Sequence, residues 1–239
     1  DFRVAVSVSG NLLVQNSTGT VMFRGNVAAG AITANAGAYD LQLLSGASVT
    51  GATSLANSGT VTFGNGPNMF GNPDAFVFGA GFSRLGGSTQ VFVDIRTINS
   101  PLSISGTLTA IGNSVLRSGN ALLTLADVVL NSGVTLDLGA GDSGSMNLSA
   151  VGIASGAVGT RLRIHSAGTV TVAGDITDVA NVDVFGNTFA FNGSVGTTEA
   201  RVGQITRSTS GPTTFSGNLY ATGFTDSSSG ALSFLGAYT

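Results

Sequence analysis

The chain of 239 residues contains no cysteine, no lysine and no tryptophan. Glu199 is its only glutamate and His165 its only histidine. The absence of cysteine excludes disulfides, cysteine-ligated zinc and thiol catalysis. The absence of lysine excludes a phosphate loop of the Walker type. With one histidine there is no Ser-His-Asp constellation with a choice of partners, and no dedicated metal cage made of imidazoles. Charged residues make up 9% of the chain, and the net charge is −3 with all nine basic residues arginine. A nucleic-acid binder needs a basic face that displaces counterions, and this balance argues against one. No apolar run reaches the length of a membrane-spanning helix.

What is present is small and polar, set among aliphatics. Glycine alone supplies 36 residues, and hydrophobic residues supply 42%. Glycine, serine, threonine, asparagine and valine are poor helix formers, while the usual coat of lysine and glutamate is missing. The hydrophobic share is too high for a disordered chain. The composition therefore predicts an ordered, all-β protein.

Periodicity agrees. Phe2, Val4, Val6 and Val8 alternate with smaller or polar residues, the period-2 mark of a half-buried strand. The same alternation recurs at 39–43, 91–95, 134–138, 161–165, 169–172 and 188–191. Ala121 to Leu130 comes closest to a helical period, but its β-branched residues and the following Asn131-Ser-Gly133 predict two short strands. Gly-Asn, Asn-Gly and Ser-Gly pairs separate the runs, and both residue types tolerate sharp corners.

A loose repeat is visible: a short β run closed by glycine and then by Asn, Ser, Asp or Thr. It occurs at 20–26, 102–107, 169–175, 188–194 and 213–218, with a shortened copy at 60–65. Many short strands with tight corners fit a parallel β-helix of about 20 to 25 residues per coil better than a β-sandwich of fewer, longer strands. We therefore expect a single domain over 1–239, a single-stranded parallel β-solenoid of about ten coils. Coils about 4.8 Å apart make a rod on the order of 50 Å long. Residues 64–88 hold two of the four prolines and read as an excursion from the regular coil, lying back over one face. Its Phe70, Phe76, Phe78 and Phe82 are candidate partner contacts.

Three constellations are candidates for chemistry. Asp175, Asp178 and Asp183 form the densest acidic group and are the candidate carboxylates of a polysaccharide-cleaving β-helix. No basic residue lies near them in sequence, which favours corner and strand-face roles instead. Arg161, Arg163 and His165 share one strand face at i, i+2 and i+4, and are a candidate strip for an acidic or sulfated glycan. Asp137 to Gly144, DLGAGDSG, has the look of a calcium turn but occurs once, so a plain turn is expected. No cofactor and no metal are expected.

The cadence of 187–198, NTFAFNGSVGTT, followed by 211–223, GPTTFSGNLYATG, resembles repeats in large bacterial surface proteins of the filamentous-haemagglutinin and autotransporter-passenger type. The likeness is best over 160–239. It implies an exported, right-handed β-helix on the cell surface, acting as a stalk, adhesin or fibre, and not an enzyme. No functional residue carries over, because such repeats are scaffolds. Open strand edges at the ends of a solenoid need covering. Phe2, Val4, Val6 and Val8 at one end, and Leu232, Phe234 and Tyr238 at the other, read as strands with no polar capping helix beside them. They are expected to meet either a second copy, head to tail, or flanking repeats of a longer solenoid. Surface glycans are a further candidate partner.

Overall fold

The computed structural model describes residues 1–15, 17–66, 76–153 and 159–239, with the side chains of 140, 141 and 148–153 excepted. Phe70 lies outside the described residues. The chain winds into a parallel β-solenoid of about ten turns, and among the described residues there is no helix. Among the described residues 23 strands line three faces, A, B and C, visited in that order on successive turns, and their pairings are parallel.

Face A is built from β2 (Thr20–Phe23), β4 (Asp40–Leu43), β7 (Val61–Phe63), β10 (Thr89–Val91) and β13 (Leu108–Ala110), and from the second parts of β15 (Leu123–Leu130) and β17 (Met146–Ile153). Single bridges extend it, Phe2 to Phe23 at one end and Ile176–Val195–Leu219–Tyr238 at the other.

Face B runs from the first parts of β1 (Val6–Val14) and β3 (Val27–Ala34) through β5 (Ala47–Val49), β8 (Phe76–Phe78), β11 (Ile95–Thr97), β14 (Ser114–Arg117) and β16 (Thr135–Asp142). It continues through the first parts of β18 (Arg161–Val172) and β19 (Asn181–Phe191) to β20 (Val202–Thr209) and β22 (Ala221–Asp226).

Face C takes the second parts of β1 and β3, then β6 (Thr53–Leu55), β9 (Phe82–Arg84), β12 (Leu102–Ile104) and the first parts of β15 and β17. The second parts of β18 and β19, β21 (Thr213–Phe215) and β23 (Leu232–Phe234) complete it.

The alternation seen in the sequence is what stacks the core. Inward positions pair with inward positions on the next turn, so like residues form columns, as in Leu41–Val61, Leu136–Leu162–Val182–Ile205 and Phe191–Phe215–Phe234. The aliphatic residues of these columns are almost wholly buried. Glycine closes the C-to-A corner where turns touch. A side chain on Gly193 would meet the backbone of Gly174, one on Gly217 that of Gly193, and one on Gly236 that of Gly217. These glycines end three of the sequence repeats, so the repeat at 169–175, 188–194 and 213–218 is face C plus its corner on successive turns.

Two expectations need correction. The excursion placed at 64–88 is narrower. Phe76, Phe78 and Phe82 sit in β8 and β9, in register with β5, β6, β11 and β12, and are at most 2% exposed. They are core rather than partner contacts: Phe63 packs edge-on against all three and Phe78 lies against Phe82. The extra length lies between β7 and β8. Ala47 pairs with Phe76, nine residues more than the twenty that separate Val27 from Ala47. The apparent strand from Phe2 to Val8 also divides, with Phe2 bridged on face A and Val6 opening β1 on face B. The backbone then stays extended past Gly10, where a turn was expected, and crosses the B-to-C corner as a bulge between Val8 and Asn11.

Candidate functional sites at the two ends and on the charged face

The first turn presents β1 and Phe2 to solvent. Phe2 stacks on Phe23 with ring centroids 4.7 Å apart and nearly parallel planes. It is 48% exposed and Val4 is 75% exposed, while Val6 packs partly against the core and Val8 is half-buried. Asp1 pairs with Arg24 and Arg3, but these contacts are on the surface and weak.

The last turn ends in an aromatic stack. Phe191 lies over Phe215 at 4.8 Å, Phe215 over Phe234 at 5.5 Å and Phe234 against Tyr238 at 5.2 Å, each pair within 15° of parallel. Phe224 packs edge-on against Phe215, Phe234 and Tyr238. Phe215 is buried, but Tyr238 is 53% and Leu235 73% exposed, so the stack and the strand beside it run out into solvent. Leu232 is partly buried against the core. Among the described residues, β22 and β23 each pair on one side only, with β20 and β21, and β1 pairs only with β3.

One group of charged residues lies on the outer side of face B. Register places Asp137, Arg163 and Asp183 in one column across consecutive turns. Arg163 reaches Asp137 at 2.9 Å and Asp183 at 3.9 Å, and Arg161 reaches Asp183 at 3.5 Å. Earlier on the same face Arg117 pairs with Asp142 at 3.6 Å, and Asp94 accepts the Val115 N–H. Burial raises the Asp94 carboxyl above its ordinary value, opposed by the Val115 N–H and Arg117. Arg161, Arg163 and His165 do share a face, as the spacing implies, but both arginines carry carboxylate partners from neighbouring turns. The His165 ring packs on Phe185 at 5.7 Å, with the Arg163 guanidinium also 5.7 Å from that ring.

The acidic trio is spread over the fold. Asp175 sits at the C-to-A corner and accepts the Ser194 N–H of the next turn at 2.7 Å. Asp178 takes a left-handed backbone conformation at φ 58°. Asp183 is held in the ladder of face B. In DLGAGDSG, Asp142 accepts the N–H groups of Ser118 and Gly119 at 2.8 and 2.7 Å, a corner-capping role. Among the described residues no group of three or more His, Asp or Glu is arranged to hold a metal ion.

Sequence reasoning missed two interior cations. Arg84 is fully buried and donates to the carbonyls of Leu55, Asn57 and Gly59, without a carboxylate partner among the described residues. Burial holds its guanidinium below the ordinary value. Arg207 is 1% exposed and donates to Asp226, to Thr213 and to the carbonyls of Gly230 and Ala231, at 2.8 to 2.9 Å. The signal was in the alternation. Arg84 is two residues from Phe82, and Arg207 two from Ile205, so both arginines stand on the inward phase of their strands.

The chain matches no protein-family model, no curated protein and no solved structure.

Proposed function

We propose that the chain is a structural rod of a bacterial cell surface, extending end to end by docking the last turn of one copy on the first turn of the next. The observation that carries this reading is that the first and last turns match: β1 lies in the same columns of faces B and C as β22 and β23, so one edge can continue the other. Phe2 and Tyr238 are the end members of face A. Continuing the winding would set β1 of a second copy on β22 and β23, with Leu13 over Ser233 in one column of face C. Phe2 of that copy and Tyr238 fall at the same level of face A, so one of these two end bridges gives way.

Such a junction combines backbone pairing of the β-augmentation type with burial of apolar side chains. It is heterologous, so it propagates into a filament instead of closing into a dimer. The resemblance of 160–239 to surface-protein repeats supports a place outside the cell. Flanking turns of a longer solenoid would cover the same edges, and assembly of the isolated chain separates the two arrangements.

The test is negative-stain electron microscopy across a concentration series, with and without residues 1–9. Filaments that lengthen with concentration and vanish on truncation are expected. Single short rods at every concentration would overturn end-to-end docking of copies.

A further inference from the structure

Beyond the charged ladder, the B-to-C corner opens into a cleft of about 450 Å³ lined by His165, Phe185, Ser208, Ser210, Ser227 and Ser229. The cleft runs along the rod axis. His165, Phe185 and Ser208 stand in one column on consecutive turns, and Ser227 follows on the next. Phe185 lies on the outer side of β19, half-buried, with the His165 ring and the Arg163 guanidinium of the previous turn each 5.7 Å from its ring. Its floor is hydroxyl-rich and free of net charge, because Arg161 and Arg163 are matched by Asp137 and Asp183.

We propose that this cleft binds an uncharged oligosaccharide laid along the rod axis, with one pyranose ring on Phe185 and its neighbours on the serines. The apolar C–H face of a sugar ring suits an aromatic platform, and its hydroxyls suit serine side chains, which both donate and accept. Turns repeat about every 4.8 Å, close to the length of one pyranose unit in an extended chain, so successive turns offer successive sugars similar partners. A sulfated chain would need a cation without a partner, and the two arginines nearest the cleft are taken up by the ladder. The inference is independent of docking at the ends.

The test is calorimetric titration of the whole chain with uncharged hexasaccharides (cello-, laminari-, manno- and chitohexaose) and with a heparin hexasaccharide. At least one uncharged hexasaccharide should bind, with an affinity little changed when salt rises from about 0.05 M to about 0.5 M. Phe185→Ala should weaken it at least tenfold, Ser208→Ala should weaken it less, and Phe185→Tyr should retain it. Circular dichroism shows whether each variant is folded, and the half-buried Ser208→Ala variant, which removes only a hydroxyl, keeps the test decisive if Phe185→Ala is not. The proposal is overturned if no uncharged hexasaccharide binds at millimolar concentration. It is also overturned if only heparin binds, with affinity lost in salt, or if neither variant changes the affinity.

Discussion

Phe215→Ala probes how the rod is held together. Phe215 is 2% exposed and stacks between Phe191 and Phe234, with Phe224 at its edge. Truncating a buried phenylalanine to alanine costs about 3–5 kcal/mol. The upper half of that range applies, because the ring loses two stacked partners, each pair contributing about 0.5–1.5 kcal/mol. In a solenoid each turn touches only its neighbours, so the loss stays local. At about 1.4 kcal/mol per factor of ten, 4 kcal/mol lowers amide protection in β21, β22 and β23 by about 10²–10³-fold, or down to the exchange limit of the whole chain. Protection in β4, β7 and β10 should be unchanged. Hydrogen exchange read by mass spectrometry checks this. A uniform loss along the rod, or no loss in the last turns, would refute the reasoning.

Three further outcomes follow from the polar interior and the corners. Hydrogen bonds from Ser228 and Arg207 lower the Asp226 carboxyl, so its contribution is fully present above the unfolded carboxylate value of about 3.9 and is lost as pH falls through the lower folded value. Hydrogen exchange of β22 should therefore rise only in strong acid, and Asp226→Asn should remove that step. Asp94 has the opposite sign, because burial raises it and protonation relieves the penalty as pH falls. Asp94→Asn keeps an acceptor for the Val115 N–H, so it should raise Tm at pH 7, by an amount that shrinks towards pH 4; a fall in Tm at pH 7 contradicts this. Gly217→Ala would press a methyl group on the Gly193 backbone. A loss of about 1–3 kcal/mol, confined to the last turns, is expected in denaturant unfolding with exchange detection.

The solenoid was legible because its signal is local and repeated. Leu102-Ser-Ile104 and Thr213-Thr-Phe215 each display inward, outward, inward, and the glycine that follows each run marks a corner. The ambiguous 121–130 is strand and not helix, but as one continuous strand instead of the two expected: β15 pairs with β12 through 123–125 and with β13 through 128–130, serving two faces across a corner. Register was the part that could not be read. Arg163 finds Asp137 and Asp183 only because turns of 26 and 20 residues set them side by side, and the spacing along the chain carries no trace of it. For the same reason the acids at 175, 178 and 183 look clustered in sequence but fall on different parts of the coil. Phe76, Phe78 and Phe82 were misplaced because glycine and proline at 64–73 made the whole stretch look irregular, although the alternation of 76–78 already marked a core strand. His165 was read for its charge, and its contact with Phe185 on the next turn needed the fold.

The most direct test of end-to-end docking uses the absence of cysteine. Leu13→Cys and Ser233→Cys in one chain place two thiols about 50 Å apart within a copy, too far to link, but on adjacent strands of one face-C column where β1 of one copy continues from β23 of the next. Under mild oxidation, a ladder of covalent multimers that grows with protein concentration is predicted, with no more than dimers from either single variant. Only monomers from the double variant, at concentrations where the rods are intact, would contradict the account.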